Sequence, residues 1–220
     1  MTIFEDELSN LKVQILKMGS LVEEAIDNSI KSLVERNSDL ARRVIDNDAR
    51  INAFDVSIDE ESIRLIALRQ PTAGDLRFIT TAMKITTDLE RIGDYAVDIC
   101  ERALELNEEP QLKPYIDIPR MAEIAEGMVR DALQAFLEKN TALAYEVIKR
   151  DDEVDQLTVQ IFNELLLFMI KDSTTITRAI KISYVSKYLE RVADHATNVA
   201  EMVVYMNEGK MIRHTRPPEE

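Results

Sequence analysis

Residues that break helices or cross-link chains are scarce in this sequence of 220 residues, which has five glycines, six prolines, one cysteine and no tryptophan. The single cysteine, Cys100, excludes a disulfide bond within the chain and is typical of a protein from a reducing cytoplasm. The remainder is rich in alanine, leucine, isoleucine, glutamate, lysine and arginine, which favour helices over strands. The composition therefore predicts an all-α, cytoplasmic protein.

The sequence also lacks an excess of basic residues and lacks a long apolar run. Lysine and arginine number 27 against 41 aspartates and glutamates, which gives a formal net charge of −14. Because an acidic surface repels the phosphate backbone, the expected partners are cations or basic protein surfaces, and not nucleic acids. The acidic N-terminal stretch has no apolar core of the signal-peptide type, and the run LLLFMI at 165–170 is too short to span a bilayer.

Loop-forming residues divide the chain into six amphipathic stretches, arranged as three plus three. Apolar residues at steps of three and four predict helices over roughly 3–36, 119–139 and 176–207, a second helix capped by Ser38, a third capped by Thr72, and a fifth between Asn140 and Lys171. The halves match, since VIDNDARIN at 44–52 corresponds to VIKRDDEVD at 147–155 and Asn107 corresponds to Asn207. The predicted fold is therefore all-α, with two tandem pseudo-symmetric three-helix bundles. Their expected bounds are 1–109 and 119–208, with a linker at 110–118 and a C-terminal tail at 209–220.

The motif L-E-R-x-x-D occurs twice, in TDLERIGDYAVDI at 87–99 and in KYLERVADHATNV at 187–199. In both predicted helices the apolar residues follow the three-four spacing that marks the side facing the core. At roughly 100° per residue, the polar residues of the motif fall on the opposite side and are expected to be exposed. They are Glu90, Asp94 and Asp98 in the first copy, and Glu190, Asp194 and Asn198 in the second.

A second set of acidic residues lies one helix before each motif. Asp48 and Asn52 on the second predicted helix correspond to Asp151 and Asp155 on the fifth. These residues lie at the edges of the apolar faces, where a neighbouring helix approaches. Each bundle is therefore expected to combine acidic side chains from two helices.

Rows of like charge have an energetic cost that a cation would offset. Carboxylates four residues apart on a helix repel by roughly 0.2–0.5 kcal/mol per pair. Arg91 and Arg191 are placed to offset part of this repulsion. A bound Mg, Mn, Fe or Zn ion would offset more, because carboxylate oxygens are ligands for all four. The alternative is an ordinary solvated helix face, and the spacing D-x-x-x-D alone does not decide between the two.

With RQPTAGDLRFITTAMKITTDLERIGDYAVDI at 69–99 and LERVADHATNVAE at 189–201, the sequence resembles the PhoU family over essentially its whole length. The resemblance implies a homodimer of two-bundle chains that acts as a cytoplasmic negative regulator of the phosphate-starvation response. It implies contacts with the ATPase of a phosphate ABC transporter and with a sensor histidine kinase, so that the protein meets the membrane only through its partners. It also implies metal ions or iron clusters on the acidic motifs, here at Glu90, Asp94, Asp98, Glu190, Asp194, Asp48, Asp151 and Asp155.

Two departures from the family pattern affect the expected metal sites. The usual glycine of E-R-I-G-D is Ala193 in the second half. Asn198 replaces the third acid of the second row, and Asn52 stands opposite Asp155. Each half thus lacks one acid that the other has, and the two sites are expected to differ in nuclearity or affinity.

The remaining candidates have plainer interpretations. Cys100 is expected to be packed, His195 to lie at the flank of a bundle, and His214 to lie in the tail. Arg69 and Arg77, on either side of the loop RQPTAGDLR, are candidate partner-binding residues. No P-loop or nucleophile elbow occurs, which favours a protein that is not an enzyme. A di-metal carboxylate enzyme of the helical-bundle class and a metal-free helical scaffold remain as alternatives.

Overall fold

Six long helices make up the protein in a computed structural model, which describes residues 2–209 and residue 212. They are α1 (Ile3–Val34), α2 (Ser38–Arg69), α3 (Ala73–Asn107), α4 (Asp117–Glu138), α5 (Thr141–Lys171) and α6 (Ile176–Glu208), with one turn of 3-10 helix at Ser173–Thr175. The described residues contain no strand, so the predicted all-α class is confirmed. Within that same part of the chain, none of the helices is long and apolar enough to cross a membrane.

The loop between the first two helices is built in the same way in each half. Arg36 and Lys139 have left-handed backbone conformations, with φ of 56° and 53°. Each is followed by an asparagine, Asn37 or Asn140, whose side-chain oxygen accepts a hydrogen bond from the backbone N–H three residues on, at 3.0 Å and 3.1 Å. Such a bond satisfies one of the free N–H groups at the start of a helix. The caps are therefore duplicated together with the helices.

A second asparagine ties the end of the third helix of each half to that loop. Asn107 donates from Nδ2 to Ser38 Oγ at 3.3 Å, and Asn207 donates from Nδ2 to Thr141 Oγ1 at 3.2 Å. The predicted correspondence of Asn107 with Asn207 thus has a structural meaning, since each closes its three-helix bundle at the same point.

The two bundles pack together through α3 with α6 and through α1 with α4, and they share one apolar core. Tyr95 of α3 stacks on Tyr188 of α6 with 6.1 Å between ring centroids, and Phe78 of α3 stacks on Phe136 of α4 at 5.2 Å. Cys100 is buried, and burial raises the pKa of its thiol to about 12, so the predicted packed cysteine is confirmed. This arrangement makes α3 and α6 the central helices of the molecule.

Several predicted boundaries differ from the structure. The N-cap of α2 is Asn37, and Ser38 is the first helical residue, because the left-handed residue before Asn37 aims the asparagine side chain at the helix start. Thr72 occupies the N-cap position of α3 as predicted, but its side chain makes no capping hydrogen bond, and its hydroxyl donates to Asp75 Oδ2 at 3.0 Å. Helix α4 begins inside the predicted linker 110–118. Apart from residues 209 and 212, the predicted tail, which includes His214, lies outside the described residues.

Candidate functional site

The structure gathers acidic residues into two clusters, one between α2 and α3 and the other between α5 and α6. The first acidic cluster contains Asp48, Asp55, Glu90 and Asp94. The second acidic cluster contains Asp151, Asp155, Glu190 and Asp194. Each cluster takes two carboxylates from each of two helices. The expected combination of acidic side chains from neighbouring helices is thus present in both halves.

Asp55 is the member of the first acidic cluster that sequence reasoning missed. It follows Asp48 by two helical turns and therefore faces the same side of α2, a spacing that would have identified it. The second half has Thr158 at the corresponding position, and it has Asp155 where the first half has Asn52. The two clusters therefore carry the same number of carboxylates, at different positions.

The acidic rows are partly buried, which corrects the expected exposed face. The exposed fraction of the side chain is 25% for Glu90, 39% for Asp94, 17% for Glu190 and 38% for Asp194. The reason is the central place of α3 and α6, since α3 packs against α1, α2 and α6, and α6 packs against α3, α4 and α5. A side chain opposite the apolar stripe of such a helix meets another helix before it meets water.

Burial next to like charges raises the pKa of several of these carboxyls. Burial, and then the charge of Asp194, raises the pKa of Asp151 to about 6. Burial, and then the charge of Asp94, also raises the pKa of Glu90. The pKa of Asp48 is raised mainly by burial. A cation bound at either cluster would lower these pKa values and favour the charged carboxylates.

Basic side chains supply part of the balancing charge. Arg91 Nη1 lies 3.0 Å from Asp94 Oδ2, and Arg191 Nη1 lies 3.2 Å from Asp194 Oδ2. Lys187 pairs with the glutamate of the second acidic cluster. These basic side chains are about half exposed, so such pairs contribute roughly 0–1 kcal/mol each. The predicted role of the two arginines in offsetting the repulsion agrees with this geometry.

Asp48 has one carboxylate oxygen without a partner. Its Oδ2 accepts a hydrogen bond from Asn52 Nδ2 at 2.8 Å, whereas Oδ1 is shielded from water and has no donor among the described residues. Gly93 lies beside it, and a Cβ on this glycine would be 3.3 Å from Asp48 Oδ1. A cavity of about 30 Å³ adjoins both residues and has room for a water molecule. A cation at Oδ1 would gain a ligand without breaking an existing hydrogen bond.

The donor chemistry of both clusters suits a hard cation, but the oxygen atoms do not surround a common point. Carboxylate oxygens are the donors that Mg²⁺ and Mn²⁺ prefer. Among residues 2–209 and 212, no group of three or more His, Cys, Asp and Glu side chains is placed to hold a metal ion. Metal binding at either cluster therefore requires rotation of acidic side chains.

Asp98 and its counterpart Asn198 lie at the contact between α3 and α6, away from the carboxylates of α2 and α5. Asn198 Nδ2 is 3.4 Å from Asp88 Oδ1. Asp98 is near Tyr188 and, after the larger effect of burial, raises the pKa of that phenol. These two contacts correspond to each other under the internal twofold, which relates Asp98 to Asn198 and Tyr188 to Asp88. The difference between Asp98 and Asn198 therefore affects the contact between α3 and α6, and it does not change the number of carboxylates in either acidic cluster.

A polar pair that the sequence did not predict, His195 with Asp88, lies at the same contact between α3 and α6. His195 Nδ1 is 2.7 Å from Asp88 Oδ1, and the imidazole ring lies against Tyr95 with 5.7 Å between centroids. Under the internal twofold, Asp88 corresponds to Tyr188 and His195 corresponds to Tyr95, so this polar pair corresponds to the stacked tyrosines. The pairing depends on the register between α3 and α6, which no spacing within one helix reveals.

The two candidate partner-binding arginines have different surroundings. Arg69 makes a bidentate ion pair with Glu7, with 2.8 Å from Nε to Oε2 and 3.0 Å from Nη2 to Oε1. The hydrogen bond from Arg69, followed by that from Arg64, lowers the pKa of Glu7 to about 2. Arg77 makes no ion pair with a described residue, and its Nε is shielded from water without an acceptor. Arg69 thus links α1 to α2, whereas Arg77 has no carboxylate partner among the described residues.

Comparisons with known proteins agree with this architecture. Residues 15–103 and 118–203 each match the PhoU domain family. A phosphate-specific transport system accessory protein PhoU homolog of Aquifex aeolicus is 46% identical over 208 residues, which is 94% of each chain. A homologue with the same description from Clostridium acetobutylicum is 41% identical and covers 96% of each chain.

Solved structures agree as well. The crystal structure of PhoU from Pseudomonas aeruginosa has a TM-score of 0.91 at 37% identity, covering 94% of this chain and 100% of that one. The phosphate transport system regulatory protein PhoU from Streptococcus pneumoniae has a TM-score of 0.88 at 29% identity, covering 94% of this chain and 98% of that one. The predicted arrangement of two related three-helix bundles is therefore confirmed.

Proposed function

The chain belongs to the PhoU family, and from this membership we propose that it is a regulatory accessory protein of a phosphate transport system rather than an enzyme. In this proposal it works in the cytoplasm, where it contacts the ATPase of a phosphate ABC transporter and a sensor histidine kinase and damps the phosphate-starvation response when phosphate is plentiful. The observation that carries the proposal is the agreement with relatives of that description along nearly the whole chain, in sequence and in fold.

Removal of this chain from its host is expected to raise expression of phosphate-starvation genes in medium with ample phosphate. The reason is that the damping contact with the kinase would be lost. Transcript levels in a deletion strain, compared with the parent strain and with a strain carrying a restored copy, measure the effect. Normal repression in the deletion strain would remove the basis of the regulatory proposal.

An exposed apolar row on α5 supports a role in protein contacts. Val159, Phe162, Leu166 and Ile170, here called the α5 stripe, have exposed fractions between 40% and 75%. Their spacing places them on one face of the helix. On α2 the corresponding face is interrupted, because Asp59 stands where α5 has Phe162. Since the relatives are accessory proteins of a transport system, we assign the α5 stripe to the transporter ATPase.

Replacing Phe162 and Leu166 by Asp is expected to weaken binding of the transporter ATPase by roughly 30-fold or more, as for buried anchor residues of an interface. Both side chains are exposed, so the fold should be kept. The control replaces Val56 and Ile63 by Asp, two exposed residues of α2 that correspond to Val159 and Leu166 of the α5 stripe. Biolayer interferometry with purified ATPase measures affinity, and light scattering measures the mass of the chain in solution.

Two results would contradict this assignment of the α5 stripe. One is an equal loss of ATPase binding in the α2 control, which would point to a general effect of added negative charge. The other is unchanged ATPase binding together with a fall from dimer to monomer in light scattering. The stripe would then be a contact between two copies of this chain, the homodimer that the family resemblance implies.

We further propose that the two acidic clusters bind divalent or trivalent cations. Support comes from the unpaired Oδ1 of Asp48, from the raised pKa values within both clusters, and from a donor set made of carboxylates alone. Asp48, Glu90 and Asp94 would hold an ion in the first cluster, and Asp151, Asp155 and Asp194 in the second. Both clusters lie at clefts between an outer and a central helix, outside the shared apolar core, which favours a structural or regulatory ion over a di-metal catalytic centre.

A further inference from the structure

A pocket of about 650 Å³ lies at the end of the molecule where α1 and α3 begin and α4 and α6 end. It is lined by Glu5, Leu8, Ser9, Lys12, Gly74, Asp75, Arg77, Phe78, Lys139, Met206 and Asn207. None of these residues belongs to either acidic cluster or to the α5 stripe. The pocket falls within the size range of sites for small molecules, roughly 300–1,000 Å³.

Three cationic side chains around this pocket have no carboxylate partner. Lys12, Arg77 and Lys139 form no ion pair with any described residue, although the chain has an excess of acidic residues and most of its arginines are paired. The Nζ of Lys12 lies 5.2 Å from the centroid of the Phe78 ring. The Nε of Arg77 is shielded from water and has no acceptor in the described part of the chain. Three positively charged side chains without a carboxylate partner thus line one pocket of a strongly acidic protein.

The two carboxylates at the pocket are already hydrogen bonded elsewhere. Glu5 Oε2 accepts from the backbone N–H of Thr2 at 2.7 Å, and Asp75 Oδ2 accepts from Thr72 Oγ1 at 3.0 Å. The Thr72 side chain accepts no capping hydrogen bond from the backbone at the start of α3. The first amides of α3 thus have no capping acceptor from Thr72, and Gly74 and Asp75 of that first turn line the pocket.

The remaining walls of the pocket are apolar. Leu8, Phe78 and Met206 lie beside the cationic groups, so a ligand would meet positive charge on one side and hydrocarbon or an aromatic ring on the other. The volume is also much larger than a single inorganic anion requires. Guanidinium, ammonium and free helix amides together are the groups that bind phosphate oxygens in proteins.

We propose that this pocket binds a small molecule that carries a phosphate or diphosphate group on an organic part. Arg77 and the first amides of α3 bind the phosphate oxygens, and Lys12 and Lys139 add charge at the rim. Leu8 and Met206 pack on the organic part. The proposal goes beyond the regulatory function and does not depend on metal at the acidic clusters.

Titration calorimetry with ADP and with pyrophosphate, both in the presence of EDTA, tests this site in the full-length protein. EDTA excludes binding through a metal ion at the acidic clusters. The parent protein is expected to bind ADP more tightly than pyrophosphate. Replacing Lys12 and Arg77 by Gln should weaken ADP binding by roughly 10-fold or more, as expected for the loss of charged hydrogen bonds. The matched control is Lys17→Gln, at an exposed lysine of the same helix that lies outside the pocket, and it should bind ADP as the parent does.

Each other outcome overturns a stated part of the proposal. No heat of binding for either probe at millimolar concentration overturns the site. An equal loss in Lys17→Gln shows attraction by overall charge and also overturns it. Pyrophosphate binding as tight as that of ADP overturns the organic part of the ligand. If the double variant melts at a lower temperature than the parent, Lys139→Gln, at an exposed turn, takes its place and should still weaken ADP binding several-fold.

Discussion

Replacing Asp151 by Asn is expected to make the metal-free protein more stable at pH 7 and to reduce the stability that it gains from Mn²⁺. At this pH the carboxylate is charged although burial and Asp194 raise its pKa to about 6. An amide of the same shape removes that repulsion. The expected gain in the free energy of unfolding is about 1 kcal/mol, less than the full shift of the pKa implies, because the carboxyl stays partly in contact with water.

The same substitution is expected to reduce the stability that the protein gains when Mn²⁺ is added. A cation that binds the folded state alone stabilises it by about 2.7 kcal/mol at one hundred times its dissociation constant. The Asp151→Asn variant would lack a charged ligand in the second acidic cluster and leave the first cluster intact. The gain from Mn²⁺ should therefore fall by roughly half, measured by thermal unfolding with and without the metal.

The pH dependence of this difference has a defined direction. The folded pKa of Asp151 is about 6, and that of aspartate in an unfolded chain is about 3.9. Between these values the folded state binds more protons, so the contribution of this group to stability falls as pH rises. The variant and the parent should be equally stable near pH 4, and the variant should be more stable by the full amount at pH 7 and above.

The matched control for this experiment is Asp46→Asn, which removes the same charge from an exposed position on α2. It should change stability by less than about 0.5 kcal/mol, as surface substitutions usually do. A metal-free Asp151→Asn protein that is less stable than the parent at pH 7 would contradict the repulsion between Asp151 and Asp194. An unchanged gain from Mn²⁺ would show that the second acidic cluster is not a metal site.

The helices and their duplication follow from the sequence because both depend on residues that are close along the chain. Steps of three and four locate each apolar stripe, and paired breaks such as Asn107 and Asn207 locate the repeat. The burial of Glu90 and Glu190 does not follow in the same way. Periodicity gives the direction of a side chain relative to the stripe of its own helix, but it does not give the number of helices that surround that helix.

The parts of the candidate site that the sequence did not predict are those that depend on the register between helices. Asp55 joins the first acidic cluster because α2 crosses α3 near Glu90. Asp88 meets His195 because α3 and α6 run antiparallel about the internal twofold. Each of these residues looks like an ordinary surface acid in the sequence, since its partner is on another helix.

Replacing Gly93 by Ala is expected to destabilise the protein, and replacing Ile51 by Val in the same chain is expected to restore it. A Cβ at residue 93 would lie 3.1 Å from Ile51 Cδ1 and 3.3 Å from Asp48 Oδ1, tighter than most packed Cβ contacts, so these neighbours would have to shift by a few tenths of an ångström. The second half has Ala193 and Val154 at the corresponding positions. Compared with Gly93 and Ile51, the side chain on the central helix is one carbon larger and the side chain on the outer helix is one carbon smaller. The two halves thus reach similar packing by different residues.

Double-mutant analysis by urea unfolding separates this packing from helix propensity. Gly93→Ala alone should lower the free energy of unfolding by about 1 kcal/mol, because overpacking costs more than the alanine gains in the helix. Ile51→Val alone should lower it by a similar amount, about 1 kcal/mol. Together they should be at least as stable as the parent, a coupling of about 2 kcal/mol between residues in contact.

Gly127→Ala on α4 is the control for propensity, because a Cβ there meets nothing closer than Arg150 Nη1 at 3.7 Å. It should raise the free energy of unfolding by about 0.5–1 kcal/mol, as expected for alanine in place of glycine inside a helix. Additive effects of Gly93→Ala and Ile51→Val would contradict the close contact between α2 and α3.

Since Asp48 Oδ1 lies at that contact, Gly93→Ala should also weaken cation binding at the first acidic cluster alone, and the double variant should not recover it fully. If cation binding stays weak in the double variant although its stability is restored, the loss of binding comes from the contact between residue 93 and Asp48 and not from a less stable fold.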